Sequence, residues 1–143
     1  MKPDQNTPLQ KITRGVFRMM LSGIFIVAGL NHLRAPDHIA QRLEAAPMGH
    51  LATWIADPNT LVLLASGPLL IGGLALVIGA YTRTSALVLL AMIIPITLTV
   101  QIGDISTMGP LFKNIGLMGA LLYFATHGSD SLSVDGLRRS GVD

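Results

Sequence analysis

The chain has no cysteine, and this absence excludes several kinds of site at once. Without thiols it forms no disulfide, offers no thiolate nucleophile and cannot ligate zinc or an iron–sulfur cluster through cysteine. It also lacks the attachment point of a c-type haem. No haem, iron–sulfur, flavin or metal site is evident in the sequence. A redox role would therefore need a bound organic cofactor, a metal site without thiolates, or a partner protein.

Charged and aromatic residues are also scarce. Of the 143 residues, 13% are charged, 5% are aromatic and 50% are hydrophobic. Soluble domains carry about 25% charged residues, so the composition excludes a disordered chain and argues against a soluble enzyme domain. Ten basic residues face eight acidic ones, and no basic cluster alternates with aromatic residues. Because the chain is poor in charge and rich in hydrophobic residues, we expect the lipid bilayer as a partner. Because it has no such basic cluster, we expect no binding of nucleic acid.

Four long stretches contain almost no charge. A bilayer core needs roughly 20 apolar helical residues. The stretches 60–81, 84–102 and 109–126 supply 22, 19 and 18 residues. The first stretch, Gly15–Leu30, contains Arg18 and forms a span if that guanidinium snorkels to the interface. The prediction is all-α: a single-domain integral membrane four-helix bundle, residues 1–143, with spans at about 14–33, 60–81, 84–102 and 109–127.

The first stretch could alternatively be a signal peptide. Lys11 and Arg14 precede it, and Val27-Ala28-Gly29 loosely resembles a cleavage site. We favour a membrane anchor, because it fits the distribution of charge. With both termini inside, the inner side holds seven of the ten basic residues: four in the tails 1–13 and 128–143, and Arg14, Arg18 and Arg83 at the inner ends of the spans. The positive-inside rule then predicts a multi-pass membrane protein with cytoplasmic termini.

The outer loop 34–59 has helical periodicity of its own. Pro36 suits a first helical position, and the apolar residues after it recur at helical spacing. After Pro47, apolar residues up to Trp54 and Ile55 repeat the pattern. We expect two short amphipathic helices on the membrane surface, with Trp54 at the level of the headgroups.

Polar residues near the outer ends of the spans are the candidate binding site. Because successive helices alternate in direction, these residues fall at one depth although they are distant in sequence. The candidate residues for binding a polar headgroup with an apolar tail are Asn31, His32, Asp104, Lys113 and Asn114, and Gln101 lies at the same level. No catalytic residue can be assigned.

Each of these residues also has a structural interpretation. His32 could end its helix, Lys113 could snorkel outward, and Asp104 could be a turn residue or the counter-ion of Lys113. Asn31 and Asn114 could join helices by hydrogen bonds. The loop residues His38 and His50 lack the spacing of metal ligands, and His127 is expected at the opposite interface.

Five motifs, in order along residues 14–135, resemble those of DoxX-type membrane proteins. They are Gly29-Leu30-Asn31-His32-Leu33, Leu69-Leu70-Ile71-Gly72-Gly73, Gly79-Ala80-Tyr81-Thr82-Arg83, Phe112-Lys113-Asn114 and Leu132-Ser133-Val134-Asp135. The resemblance implies a four-helix inner-membrane protein, and DoxD/DoxX members are associated with quinone-linked oxidation. Many members carry a histidine after the third helix, where this chain has Gln101-Ile102-Gly103-Asp104. If this chain oxidises a quinol as those members are thought to do, Asp104 would have to replace that histidine as the acceptor of the quinol proton.

Two functions follow as hypotheses. The first is a quinone-binding subunit of a membrane-associated redox system, with its site at the outer face. In it His32 would bond a quinone oxygen, Lys113 would supply positive charge and Asp104 would pass protons outward. The second is a non-catalytic accessory or anchor subunit, which would dock other protein subunits through the Arg34–Asn59 loop.

Overall fold

A computed structural model describes residues 7–103, 105–129 and 133–140. These residues form seven α-helices and a short 3₁₀ turn, Ile105–Thr107, and the described chain contains no strand. The helices are α1 (Pro8–Arg34), α2 (Pro36–Ala45), α3 (His50–Thr53), α4 (Pro58–Ile78), α5 (Thr82–Val100), α6 (Met108–His127) and α7 (Val134–Ser140).

Proline opens three of the helices, α1, α2 and α4. A proline at the first helical position loses no hydrogen bond, and its fixed φ suits the helix. Thr7 and Asp57 complete two of these starts, because their side chains accept hydrogen bonds from the backbone N–H of Gln10 and Thr60. The expectation that a loop helix starts at Pro36 is confirmed. The second loop helix, α3, is only four residues long.

α4 is the central helix of the bundle, and two adjacent glycines explain how both neighbours approach it. A Cβ at Gly73 would lie 2.9 Å from Cγ1 of Ile26 in α1. A Cβ at Gly72 would lie 3.0 Å from Cδ2 of Leu89 in α5. Glycine at both positions therefore lets α1 and α5 pack closely on two sides of α4. α6 packs chiefly on α5.

The buried core joins the four long helices. It consists of Leu21, Phe25, Leu69, Leu76, Ala86, Leu89, Ile93, Leu121 and Phe124. Large apolar side chains on the outer surface remain exposed, among them Met20 (74%), Ile71 (71%) and Leu64 (67%). Such a continuous apolar surface is what a lipid-facing helix presents, and a protein in water rarely sustains it.

Within the residues that the structure describes, three helices are long and apolar enough to cross a membrane: α1, α4 and α5. α6 has 20 residues, but its first turns carry Lys113 and Asn114, which lower its hydropathy. The crossing of the membrane by α6 therefore stays a prediction from its length and from its packing on α5.

The bundle has two distinct ends. The loop end comprises the C-termini of α1 and α5, the N-termini of α4 and α6, and the helices α2 and α3. The terminal end comprises the start of α1, the turn between α4 and α5, the end of α6 and α7. At the terminal end, Phe17 of α1 contacts Phe124 of α6 with 5.3 Å between ring centroids.

Candidate functional site

His32 lies in the last turn of α1 at the loop end and is half-buried. Its Nδ1 is 3.2 Å from the backbone carbonyl oxygen of Val62 in α4. A carbonyl oxygen only accepts hydrogen bonds, so Nδ1 carries the proton in this contact. In the neutral ring, Nε2 is then left with a lone pair. His32 thus joins α1 to α4 and offers a hydrogen-bond acceptor at the loop end.

Asn114 lies in the second turn of α6 and is buried. Its Nδ2 donates to Oγ1 of Thr97 in α5 over 2.9 Å, and that Oγ1 in turn donates to the carbonyl of Ile93 over 2.6 Å. This chain of hydrogen bonds links α6 to α5. The contact matches the helix-joining interpretation of Asn114, and it leaves the amide oxygen as the group that a ligand could meet.

The other three predicted ligands differ in position. The side chains of Asn31 and Lys113 are exposed, and Asp104 lies outside the described residues. His32 and Asn114 lie in two different helix pairs, α1 with α4 and α5 with α6. In the described parts of the chain, no contact brings the predicted residues together as one cluster. His32 and Asn114 form two separate polar contacts at the same end of the bundle.

Gln101 adds a third polar group at the loop end. Its Oε1 is buried and has no hydrogen-bond partner among the residues that the structure describes. Its backbone carbonyl accepts a hydrogen bond of 2.7 Å from Oγ1 of Thr107. A buried acceptor without a donor costs about 1–3 kcal/mol, so a hydroxyl or water that reached Oε1 would be bound favourably.

The terminal end holds a polar network that the sequence did not reveal. The carboxylate of Asp135 accepts hydrogen bonds from the backbone N–H groups of Tyr81 and Thr82, each over 2.8 Å. The N–H of Asp135 donates to the carbonyl of Gly79 over 3.0 Å. Asp135 therefore caps α5, whose own N-cap residue Tyr81 has a left-handed φ of 48° and provides no side-chain cap.

The electrostatics of Asp135 follow from these contacts. Desolvation acts to raise the pKa of its carboxyl group, but hydrogen bonds from the backbone of Thr82 and Tyr81 and from the side chains of Thr82 and Ser129 outweigh it. The net effect lowers the pKa below the ordinary aspartate value. The carboxylate is thus ionised at neutral pH, as its role at a helix N-terminus requires.

Arg18 is buried at the same end, with only 6% of its surface exposed. Its guanidinium lies against Gly79, where an added Cβ would collide both with this guanidinium and with the side chain of Ser133. The side chain does reach the end of the bundle, as predicted for a snorkelling arginine. It is covered there, however, because the α4–α5 turn and the segment before α7 fold over it.

Sequence reasoning missed Arg18 and Asp135 as parts of one network. The motif Gly79-Ala80-Tyr81-Thr82-Arg83 and the tail residues Ser133 and Asp135 were the available signals. Nothing in their spacing shows that they meet, because 53 residues separate Asp135 from Thr82.

The helical content, the apolar outer surface and three helices fit to cross a bilayer define an all-α integral membrane protein. The model of the DoxX family matches residues 15–102, which extend from α1 to the end of α5. The chain belongs to the DoxX family. No curated protein and no solved structure gives a match to the chain.

Proposed function

We propose that the loop end binds the headgroup of a quinol, the reduced form of a quinone, and that Nε2 of His32 accepts a hydrogen bond from a quinol hydroxyl. The hydrogen bond from Nδ1 to the carbonyl of Val62 carries this proposal. It holds the imidazole in one orientation and one tautomer, with the lone pair of Nε2 left for a ligand. A reduced quinone bears hydroxyl groups, which are the donors that such an acceptor requires.

The chemistry of the remaining residues fits the same headgroup. Gln101 Oε1 is a second buried acceptor without a partner in the described chain. The exposed Lys113 offers positive charge, and Asn31 together with the amide oxygen of Asn114 would orient the ring. Asp104 would take protons outward. A bound quinone would supply two-electron, two-proton redox chemistry, and the chain would supply the hydrogen-bond acceptors and an apolar surface for the tail.

We also propose that the terminal end faces the cytoplasm of a bacterial-type inner membrane. Lys11, Arg14, Arg18, Arg83 and Arg138 all lie at or near this end of the described chain. An excess of basic residues at one end is the pattern of cytoplasmic segments.

The test is retention of quinol by the full chain purified in mild detergent under reducing conditions. We expect His32→Ala to reduce the quinone that co-purifies by about tenfold, since a hydrogen bond to a ligand contributes about 1–1.5 kcal/mol. His38→Ala is the matched control, because His38 is an exposed histidine of the neighbouring helix α2. Extracted quinone is measured by mass spectrometry, and circular dichroism checks that both variants fold.

Two results would count against this function. One is an equal amount of quinone in the His32→Ala variant and in the unmodified chain. The other is an unmodified chain that carries no quinone and shows no thermal shift with a soluble quinol analogue.

The second candidate function is that of an accessory or anchor subunit. The exposure of Trp54 (90%), Ile55 (74%) and Ile105 (90%) at the loop end favours it, because exposed large apolar residues frequently mark interaction surfaces. We expect Trp54→Ala combined with Arg42→Ala to release a co-purifying protein without changing the quinone content. A chain that runs alone after mild detergent extraction would contradict this function.

A further inference from the structure

The short link between α4 and α5 fixes the depth of the terminal end in the membrane. Three residues, 79–81, separate Ile78, the last residue of α4, from Thr82, the first residue of α5. Both helices are long and apolar enough to cross a membrane. A link of this length stays at the boundary between hydrocarbon and water, because the helices on both sides of it enter the bilayer. The exposed side chain of Tyr81 therefore lies at this boundary.

Hydrogen bonds hold α7 at the same depth. The carboxylate of Asp135, in the first turn of α7, accepts from the backbone N–H groups of Tyr81 and Thr82. The N–H of Asp135 donates to the carbonyl of Gly79. These partners belong to the link and to the first residue of α5, so α7 lies at the surface of the bilayer with them. Its seven residues are too few to enter the bilayer as a span.

Two large side chains at this surface are exposed. Tyr81 is 65% exposed, and Leu137 of α7 is 68% exposed. Along the chain, Tyr81 comes directly after an exposed apolar stripe of α4, in which Ile71, Leu74 and Ile78 follow one another at steps of three and four. In a membrane-spanning helix such a stripe faces lipid. Tyrosine at the end of the stripe suits the interface, because its ring contacts the acyl boundary and its hydroxyl meets water.

Two exposed arginines add positive charge beside these side chains. The guanidinium of Arg138 lies over the ring of Tyr81, with 5.0 Å between Cζ and the ring centroid. Stacking of this kind uses the flat face of the guanidinium and does not consume the N–H donors in its plane. Arg83 is exposed as well and lies two residues beyond Tyr81. The carboxylate of Asp135 faces the backbone N–H groups of the link and of α5, so the outward charge is positive.

From this combination we propose that Tyr81, Arg83, Leu137 and Arg138 form a surface that docks on the anionic headgroup layer of the membrane that the bundle crosses. We call it the α7 surface. Arg83 and Arg138 bind the lipid phosphates, while Tyr81 and Leu137 reach the boundary of the acyl chains. Charge complementarity selects the lipid, because basic residues near a membrane surface are attracted by its net negative charge. The proposed quinol site lies at the loop end, so neither site depends on the other.

The test measures contact of position 137 with lipid in the full chain. The sequence has one tryptophan, Trp54, which is 90% exposed and is removed by Trp54→Phe. Leu137→Trp then introduces a single indole at the α7 surface. The chain is placed in nanodiscs of phosphatidylcholine, either alone or mixed with phosphatidylglycerol, with brominated acyl chains in both. Quenching of the indole fluorescence by bromine reports its contact with the lipid.

We expect stronger quenching in the discs that contain phosphatidylglycerol. Two arginines near an anionic surface contribute about 1 kcal/mol each, which shifts the docking equilibrium roughly 30-fold. Arg83→Gln combined with Arg138→Gln should therefore remove the difference between the two lipid compositions. Arg34→Gln combined with Arg42→Gln is the matched control, because it removes the same charge from exposed residues at the loop end. This control should keep the difference.

Three results overturn the α7 surface. Absence of quenching in both lipid compositions means that the surface faces water or another protein. Equal quenching in both means that the arginines do not respond to the charge of the lipid, and an equal loss in the loop-end control means that the effect is not local. Circular dichroism checks folding, and Tyr81→Trp in place of Leu137→Trp repeats the measurement at a second exposed position. Quinol retention is measured separately, so its outcome leaves this result unchanged.

Discussion

The hydrogen bonds of Asp135 predict a measurable loss of stability when its charge is removed. In the variant Asp135→Asn, one amide oxygen replaces two carboxylate oxygens that now accept from Tyr81 and Thr82 over 2.8 Å each. Charged hydrogen bonds contribute about 1.5–3 kcal/mol each, and loss of a helix cap costs about 0.5–2 kcal/mol. Because the carboxylate is only partly buried, solvent screening reduces the effect, and we expect a loss of about 1–2 kcal/mol.

The measurement is unfolding of the full chain in mixed micelles, followed by circular dichroism as the denaturing detergent is increased. Glu44→Gln is the control, since Glu44 is an exposed acidic residue of α2. We expect the control to stay within about 0.5 kcal/mol of the unmodified chain. A loss below that value for Asp135→Asn, or an equal loss for the control, would refute the capping role.

The same residue gives a pH dependence of definite sign. The pKa of Asp135 is lowered in the folded protein, so the carboxylate stabilises the fold above the pKa of an unfolded aspartate, about 3.9. This contribution is lost as the pH falls through the lowered pKa of the folded state. The stability difference between the unmodified chain and Asp135→Asn is therefore constant at neutral pH and shrinks only below about pH 4. A difference that already shrinks between pH 8 and pH 6 would contradict the assignment.

Two further substitutions test the packing of the bundle. Gly73→Ala puts a Cβ 2.9 Å from Ile26 Cγ1, and we expect it to cost about 1–3 kcal/mol in micelle unfolding, whereas Gly116→Ala, which meets open space, should cost nothing. Equal effects of the two alanines would show that the α1–α4 contact is looser than described. Asn114→Ala removes the donor to Thr97, and the same assay should show a loss of about 0.5–2 kcal/mol. If the midpoint of unfolding in mixed micelles is unchanged in Asn114→Ala, this hydrogen bond does not stabilise the packing of α6 on α5.

The long helices were readable from the sequence because their signal is local. Runs of apolar residues predicted α1, α4, α5 and α6, and Pro36 marked the start of α2. Each inference needs only neighbouring residues and the thickness of a bilayer. The all-α membrane architecture followed from these runs.

The arrangement of the polar groups was less predictable, because it depends on how each helix is rotated. The sequence gives the depth of His32 and Asn114 but not the face on which each lies. In the structure, His32 turns to the carbonyl of Val62 and Asn114 turns to Thr97, so the two residues join different pairs of helices. The capping of α5 by Asp135 could not be predicted either, because its hydrogen-bond donor, the backbone N–H of Thr82, lies 53 residues away in the sequence.

The capping of α5 by Asp135 has a consequence for biosynthesis. The ribosome makes α5 first and makes Asp135 only after α6 has followed. During membrane insertion, the N–H groups of Tyr81 and Thr82 therefore lack this acceptor until Asp135 has been synthesised. The hairpin of α4 and α5 is completed last, by the segment that emerges after α6. A fusion tag joined close to α7, or a nascent chain stalled before it, should thus disturb a turn in the middle of the protein.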